Sequence, residues 1–242
     1  RSWRADAMAG QENLQFRDVE AFDSLSAVLM SAGPGGLSRI YRTDDGGKVW
    51  HLQFQAADPD AFLDCMAFWD EERGLAYGDA VDEVPFILRT LDGGESWARV
   101  PPGGLPPALD GEGGFAASGT CLVTGEGGSA WIATGAGARA RVLLTGDWGE
   151  HWRAVDVPVV GGEMSGLTTL GIMPGGWGLA LGGTIGADTL RTENVATTRD
   201  GGASWSSAES LTYWAVAFAT SDAGWAVGPE GRITRLAFRA RR

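Results

Sequence analysis

Eight side chains in the 242-residue chain have the type and setting to act in chemistry or binding: Asp18, Asp64, Asp79, Asp82, Glu112, Ser118, Asp188 and Trp214. Most are carboxylates. Two carboxyl groups roughly 5–9.5 Å apart in a cleft would serve glycoside hydrolysis, one as acid and the other as base or nucleophile, and Asp64 with Glu112 is a pair the sequence offers. Several oxygens in one shell would suit calcium, but no Asp-x-Asp-x-Asp-Gly loop is present. Without such spacing the same residues read as charges on solvated loops. Trp214 offers a flat face on which a ligand could stack. His51 and His151 lack a Cys or carboxylate at zinc-ligand spacing. Gly-Gly pairs recur, yet none follows a strand and opens a helix, as a phosphate or dinucleotide loop requires. No catalytic set, metal or cofactor is therefore expected.

The scaffold that must hold these residues is written in a repeated octet, Thr-x-Asp-x-Gly-x-x-Trp. It occurs at Thr43, Asp45, Gly47 and Trp50; at Thr90, Asp92, Gly94 and Trp97; at Thr145, Asp147, Gly149 and Trp152; and at Thr198, Asp200, Gly202 and Trp205. Each copy reads as a strand, a tight turn and a returning strand. The Thr and Asp side chains satisfy amides within the turn, the Gly takes a positive φ, and the Trp starts the next strand and covers the turn.

The octet aspartates stand 47, 55 and 53 residues apart, close to the ~40–50 residues of one four-stranded propeller blade. A first strand is expected at Val19–Phe22, Cys65–Phe68, Cys121–Thr124, Thr169–Ile172 and Ala215–Phe218. A second, small-residue strand follows each, as in Gly74–Gly78 or Gly178–Gly182. The fifth unit stops after a third strand near Gly231–Leu236, and the chain opens on Arg1-Ser2-Trp3-Arg4, which reads as the end of an octet. Joining the two completes a blade and removes exposed sheet edges. The expectation is an all-β, single-domain propeller over residues 1–242, five-bladed as given, with the ring closed by N- and C-terminal strands. The short join at Ser210–Tyr213 leaves room for six or seven blades in a longer parent.

The octets resemble the Asp-box, or BNR repeat, of sialidases, sortilin-type receptors, some glucanases and photosystem II stability/assembly-factor-like proteins. Over nearly its whole length the chain resembles bacterial members of the last group, some loosely labelled oxidoreductases or glycosyl hydrolases. The resemblance implies boxes at the periphery of propeller blades, away from any active site, and it carries over the sixteen box residues as structural. It brings no catalytic set. Sialidases need an arginine cluster, a Tyr paired with a Glu, and an Arg-Ile-Pro motif; Arg39-Ile40-Tyr41 and Arg232-Ile233-Thr234 lack the proline. The photosynthetic members' basic patch for a membrane-protein partner has no counterpart here.

Alternation of the strands puts the octet turns on one face and the second-to-third-strand loops on the other. The loops Ala32–Leu37, Asp79–Pro85, Gly135–Arg141 and Gly183–Val195, and the linker Pro101–Ser118, fall on that second face, which is where binding is expected. The least repetitive segment, Pro106–Thr120, reads either as a functional loop or as a plug. Cys65 and Cys121 share a column of neighbouring first strands, where each thiol should face the next blade; two buried free thiols are expected rather than a disulfide. A net charge of −12 excludes phosphate neutralisation and so nucleic acid, and no apolar run approaches the ~20 residues that span a bilayer. The composite expectation is an exported protein, secreted, periplasmic or at the cell surface. It is monomeric and non-enzymatic, and holds a protein or glycan on its acidic loop face. The alternative is a carbohydrate-active enzyme with paired loop carboxylates.

Overall fold

The computed structural model describes residues 7–115, 119–185, 194–209, 213–220 and 223–237. Its strands form five antiparallel sheets in chain order. The first holds β1 (Gln15–Ala21), β2 (Ala27–Ala32), β3 (Arg39–Thr43) and β4 (His51–Gln55), and the second β5 (Leu63–Phe68), β6 (Gly74–Val81), β7 (Val84–Thr90) and β8 (Ala98–Arg99). The third holds β9 (Leu122–Thr124), β10 (Ala130–Ala133), β11 (Arg141–Thr145) and β12 (Arg153–Asp156), and the fourth β13 (Ser165–Ile172), β14 (Gly178–Thr184), β15 (Val195–Thr198) and β16 (Ser206–Ser207). The fifth has three described strands, β17 (Ala215–Thr220), β18 (Ala223–Val227) and β19 (Ile233–Ala237). Trp3 and Arg4, the residues expected to complete it, lie outside the described residues.

Each octet links a third strand to a fourth by the same bonds. The Thr hydroxyl donates to the Asp Oδ1 at 2.7–2.9 Å and accepts the octet Gly amide at 2.8–3.3 Å. The same Oδ1 accepts the amide of the residue before the Trp at 2.9–3.0 Å. Two successive residues take positive φ, and three octets put glycine at both. In the third, Trp148 stands at the first of these with φ 62°, a conformation a bulky side chain avoids. Its ring is held edge-on by Trp69 at 5.4 Å and covered by the Arg73 guanidinium at 3.7 Å.

The first strands run side by side, β1 against β5, β5 against β9, β9 against β13 and β13 against β17. Apolar cores fill the spaces between sheets, the largest around Leu75, Ile87, Ile132, Leu143 and Leu170. β5 is mostly buried, whereas β1 alternates exposed and half-buried residues, because among the described residues β5 lies between β1 and β9 while β1 has β5 alone beside it. The fifth sheet likewise exposes Trp225, Val227 and Ile233. One column of the first strands bonds each sheet to the next. Asp18 Oδ2 accepts the Met66 amide at 2.7 Å, the Thr120 hydroxyl donates to Thr169 at 2.8 Å, and Thr169 accepts the Val216 amide at 3.4 Å.

Between the second and third sheets that column carries a Cys65–Cys121 disulfide, with Cα atoms 6.0 Å apart. This corrects the expectation of free thiols. Cys65 does face the next sheet, but Cys121 precedes β9 rather than lying within it, so the strand pleat does not turn its Cβ away. A Cα separation of 6.0 Å is what a disulfide spans. A second correction concerns Asp79–Pro85, expected as a long loop. β6 runs on to Val81 and β7 begins at Val84, leaving a two-residue hairpin in which Asp82 and Glu83 take φ 54° and 61°. These are the signs that a tight hairpin of this hand needs.

Candidate functional site

The ends of the first strands opposite the octets converge on a plug formed by residues 105–115 and 119–120. In β1, β5 and β13 the register slips by one residue, at Arg17, Asp64 and Thr168. A bulge of this kind re-aims its side chain, and in β5 it brings Asp64 under the plug. The Gly114 amide donates both to Asp64 Oδ2 at 3.1 Å and to Asp79 Oδ1 at 3.2 Å. Glycine is required at this approach: a Cβ on Gly113 would fall 1.7 Å from Asp79 Oδ1, and one on Gly114 2.7 Å from Asp64 Oδ2. The plug then pairs Gly113 with Gly135, which bridges to Gly166 of the fourth sheet, while Gly119 lies against Asp18 of the first.

Glu112 fixes the other side. Arg141, at the start of β11, grips it through Nε at 2.8 Å to Oε1 and through Nη2 to Oε2. The Thr134 hydroxyl donates to Oε1 at 2.8 Å and the Leu109 amide to Oε2 at 2.9 Å. Arg141 also reaches the Pro107 carbonyl at 3.0 Å. Both oxygens of Glu112 are thus engaged, and the side chain is 2% exposed.

Burial and crowding set the protonation of this cluster. Asp64, 1% exposed, is pushed well above the usual aspartate range, first by burial and then by the charge of Asp79. Burial also raises Asp79. Asp18 is raised by burial to about 6, against the pull of the Met66 and Val19 amides. Tyr77, buried between the two acidic groups, is pushed well up by burial and then by Glu112.

The candidate residues therefore separate. Asp64, Asp79 and Glu112 are drawn together beneath the plug, and Asp18 lies beside them in the inter-sheet column; Asp64 and Glu112 are buried rather than presented on the face. Asp82 sits exposed at the hairpin tip, beside a shallow depression of about 220 Å³ lined by Val81, Val84, Arg99 and Pro102. Trp214 is 63% exposed at the entry to β17, its carbonyl accepting the Thr168 hydroxyl at 3.1 Å. Ser118 and Asp188 lie outside the described residues. On the opposite face Asp147, Glu150 and His151 bring ligand atoms within 4.8 Å of one another, a grouping that zinc spacing did not bring out. Asp147 is already spent on octet amides and on His151 Nδ1 at 2.8 Å. Sequence reasoning missed Arg141. A charge directly before the apolar run Val142-Leu143-Leu144 was its signal, since a buried cation needs a carboxylate partner.

No protein-family model matches the chain, and no curated protein matches it. Solved structures do share its fold. YCF48 from Cyanidioschyzon merolae is 17% identical with a TM-score of 0.56, over 93% of this chain and 68% of that one. The Niastella koreensis GH74 enzyme is 15% identical with a TM-score of 0.56, over 87% of this chain and 29% of that one. An ancestral GH74 enzyme is 12% identical with a TM-score of 0.57, over 88% and 27%. The chain thus spans less than a third of either GH74 chain. At such identities the likeness is one of fold, and the fold is all-β and propeller-like.

Proposed function

We propose that this chain is a non-enzymatic binding or assembly propeller that holds a protein partner on the loop face opposite the octets. The observation that carries this reading is the state of the plug. The carboxylates that hydrolysis would need are sealed, Asp64 and Glu112 at 1% and 2% exposure with their oxygens engaged, while Asp82, Glu83 and Trp214 stand exposed around them. A two-carboxylate glycosidase needs both groups open to substrate, so the alternative gains nothing from this geometry. The octets serve this reading as Asp-boxes, turns that brace the scaffold on the far side.

The same reading closes the five sheets into a ring through residues 1–6. In all four octet-bearing sheets the residue after the octet Trp pairs with the residue before the octet Thr: His51 with Arg42, Ala98 with Arg89, Arg153 with Leu144, Ser206 with Thr197. Leu236 occupies the Thr position of the fifth sheet, pairing with Gly224 as Thr198 pairs with Gly178. Arg4 would then pair with Arg235. Residues 7–14 supply a connection as long as residues 157–164, which lead from β12 to β13. An Arg4→Cys, Arg235→Cys double variant should cross-link under mild oxidation. An export compartment is supported by the Cys65–Cys121 disulfide, since such bonds persist where the surroundings are oxidising.

The test is capture from native extracts by wild type, a Trp214→Ala, Asp82→Lys double variant, and a Glu150→Lys control on the octet face. A protein retained by wild type and control but lost with the double variant is the expected result. A glycan retained in the same pattern would replace the partner class. Polysaccharide cleavage by the purified chain, abolished by Asp79→Asn, would overturn the reading.

A further inference from the structure

The plug is held at two points of different character. Glu112 is tied to Arg141 by opposite charges. A few residues on, Gly114 offers one amide to two carboxyl groups, at 3.1 Å to Asp64 and 3.2 Å to Asp79. The charged and titratable groups facing that pair are Arg17 from β1, Tyr77 from β6 and, beyond Tyr77, Glu112 on the plug with Arg141 from β11. Arg141 is committed to Glu112, which leaves Arg17 as the cation acting on Asp64. One amide and one such cation suffice for a single negative charge. A proton shared between the two carboxyl groups would supply a second bond.

We propose that Asp64 and Asp79 form a pH-operated latch on the plug, shut while the pair shares one proton and released when both groups are ionised. Two like charges converging on one donor repel strongly where one of them, Asp64, is buried and the other, Asp79, is largely covered. The relief open to them is movement of the plug backbone. Gly114 is packed on the carboxyl oxygens and carries no side chain to anchor it, so it can lift away from them while Glu112 stays tied to Arg141 and Gly113 to Gly135. Lifting uncovers Asp64, Asp79 and Tyr77 at the mouth of the inner strands and turns a sealed face into an acidic pocket. The latch goes beyond the binding reading and stands on its own geometry.

The measurement is hydrogen exchange by mass spectrometry on the whole chain at about pH 5 and about pH 9, corrected for chemical exchange, read on the peptide covering residues 109–115. Wild type should lose protection there by at least about tenfold, the equivalent of one pKa unit of differential interaction, while octet amides stay protected. Asp79→Asn keeps a hydrogen-bonding group at the site but removes one charge, and should show equal protection at both pH values. Should the octet amides show that this variant does not fold, Asp64→Asn makes the same comparison. Equal protection in wild type at both pH values, or an undiminished loss in the folded variant, overturns the latch. Loss of partner capture at Trp214 would leave this result untouched, so the two proposals fail separately.

Discussion

Replacing both cysteines of the inter-sheet disulfide by alanine tests how the second and third sheets are joined. The bond closes a loop across a sequence separation of 56. In the chain-entropy model, opening such a loop restores roughly 14 cal/mol/K to the unfolded chain, or about 4 kcal/mol at 25 °C. Of the noncovalent links in the same column, the Thr120–Thr169 bond is worth about 1 kcal/mol and the charge-assisted Met66–Asp18 bond about 1.5–3 kcal/mol, so the disulfide should dominate. Against a total stability of about 5–15 kcal/mol the loss is large. Alanine rather than serine is the informative replacement, because both sites are fully buried and an orphaned hydroxyl would add its own penalty. Urea unfolding followed by tryptophan fluorescence reads the effect. At a slope of about 3 kcal/mol/M, the midpoint should fall by somewhat more than about 1 M with the slope unchanged. A fall of under about 0.3 M, or two thiols titrating in the native protein, would refute the reasoning.

Removing Arg141 should cost about 3–5 kcal/mol, because it leaves Glu112 buried and unpaired; thermal unfolding of Arg141→Ala checks this, and a loss under about 1 kcal/mol would show that the pair is not sealed. Asp200→Ala deletes bonds to the Thr198 hydroxyl and the Ser204 amide and should loosen the turn between the third and fourth strands of the fourth sheet, read as faster hydrogen exchange of β15. The octet aspartates are held low, Asp200 to about 2, first by the Ser204 hydroxyl. The stabilisation from Asp200 is present above the ordinary aspartate pKa and is lost as pH falls through about 2, so an acid limb in the melting temperature below about pH 4 should flatten in Asp200→Asn. Asp18 has the opposite sign. Its pKa is raised from 3.8 to about 6, so its stabilisation is complete below about pH 4 and is lost as pH rises through about 6, by up to about 3 kcal/mol; Asp18→Asn should abolish that decline between pH 4 and 7.

What the sequence made legible was whatever depends on short-range spacing. Four octets locate the turns between third and fourth strands, because Thr, Asp and Gly act within five residues of one another. What it hid depends on register and direction. Nothing near Asp64 marks the bulge that turns it beneath Gly114, and nothing in Gly113-Gly114 separates a turn from a close approach to carboxylates. The hairpin at Asp82-Glu83 was obscured because both residues adopt the φ usually left to Gly or Asn. Cys65 and Cys121 were placed in the right column, but their pairing turned on Cys121 lying one residue outside its strand. Trp214 was legible as an exposed ring at a strand entry, while Arg141 was overlooked although its apolar neighbours demanded a partner for it.

The column of links between first strands has a mechanical meaning. Among the described residues these links run from each sheet to the next, so a load or a thermal fluctuation travels along the series one joint at a time, as far as the closure proposed through residues 1–6. The joints are unequal: covalent between the second and third sheets, a charge-assisted bond at 2.7 Å between the first and second, and two neutral hydrogen bonds before the fifth, Thr168 to Trp214 at 3.1 Å and Val216 to Thr169 at 3.4 Å. A chain of unequal joints parts at its weakest one. The fifth sheet, tied by neutral hydrogen bonds and exposing Trp225, Val227 and Ile233, should detach before the other four lose their order, and that junction is also where a further sheet could be added or removed without disturbing the fastened core.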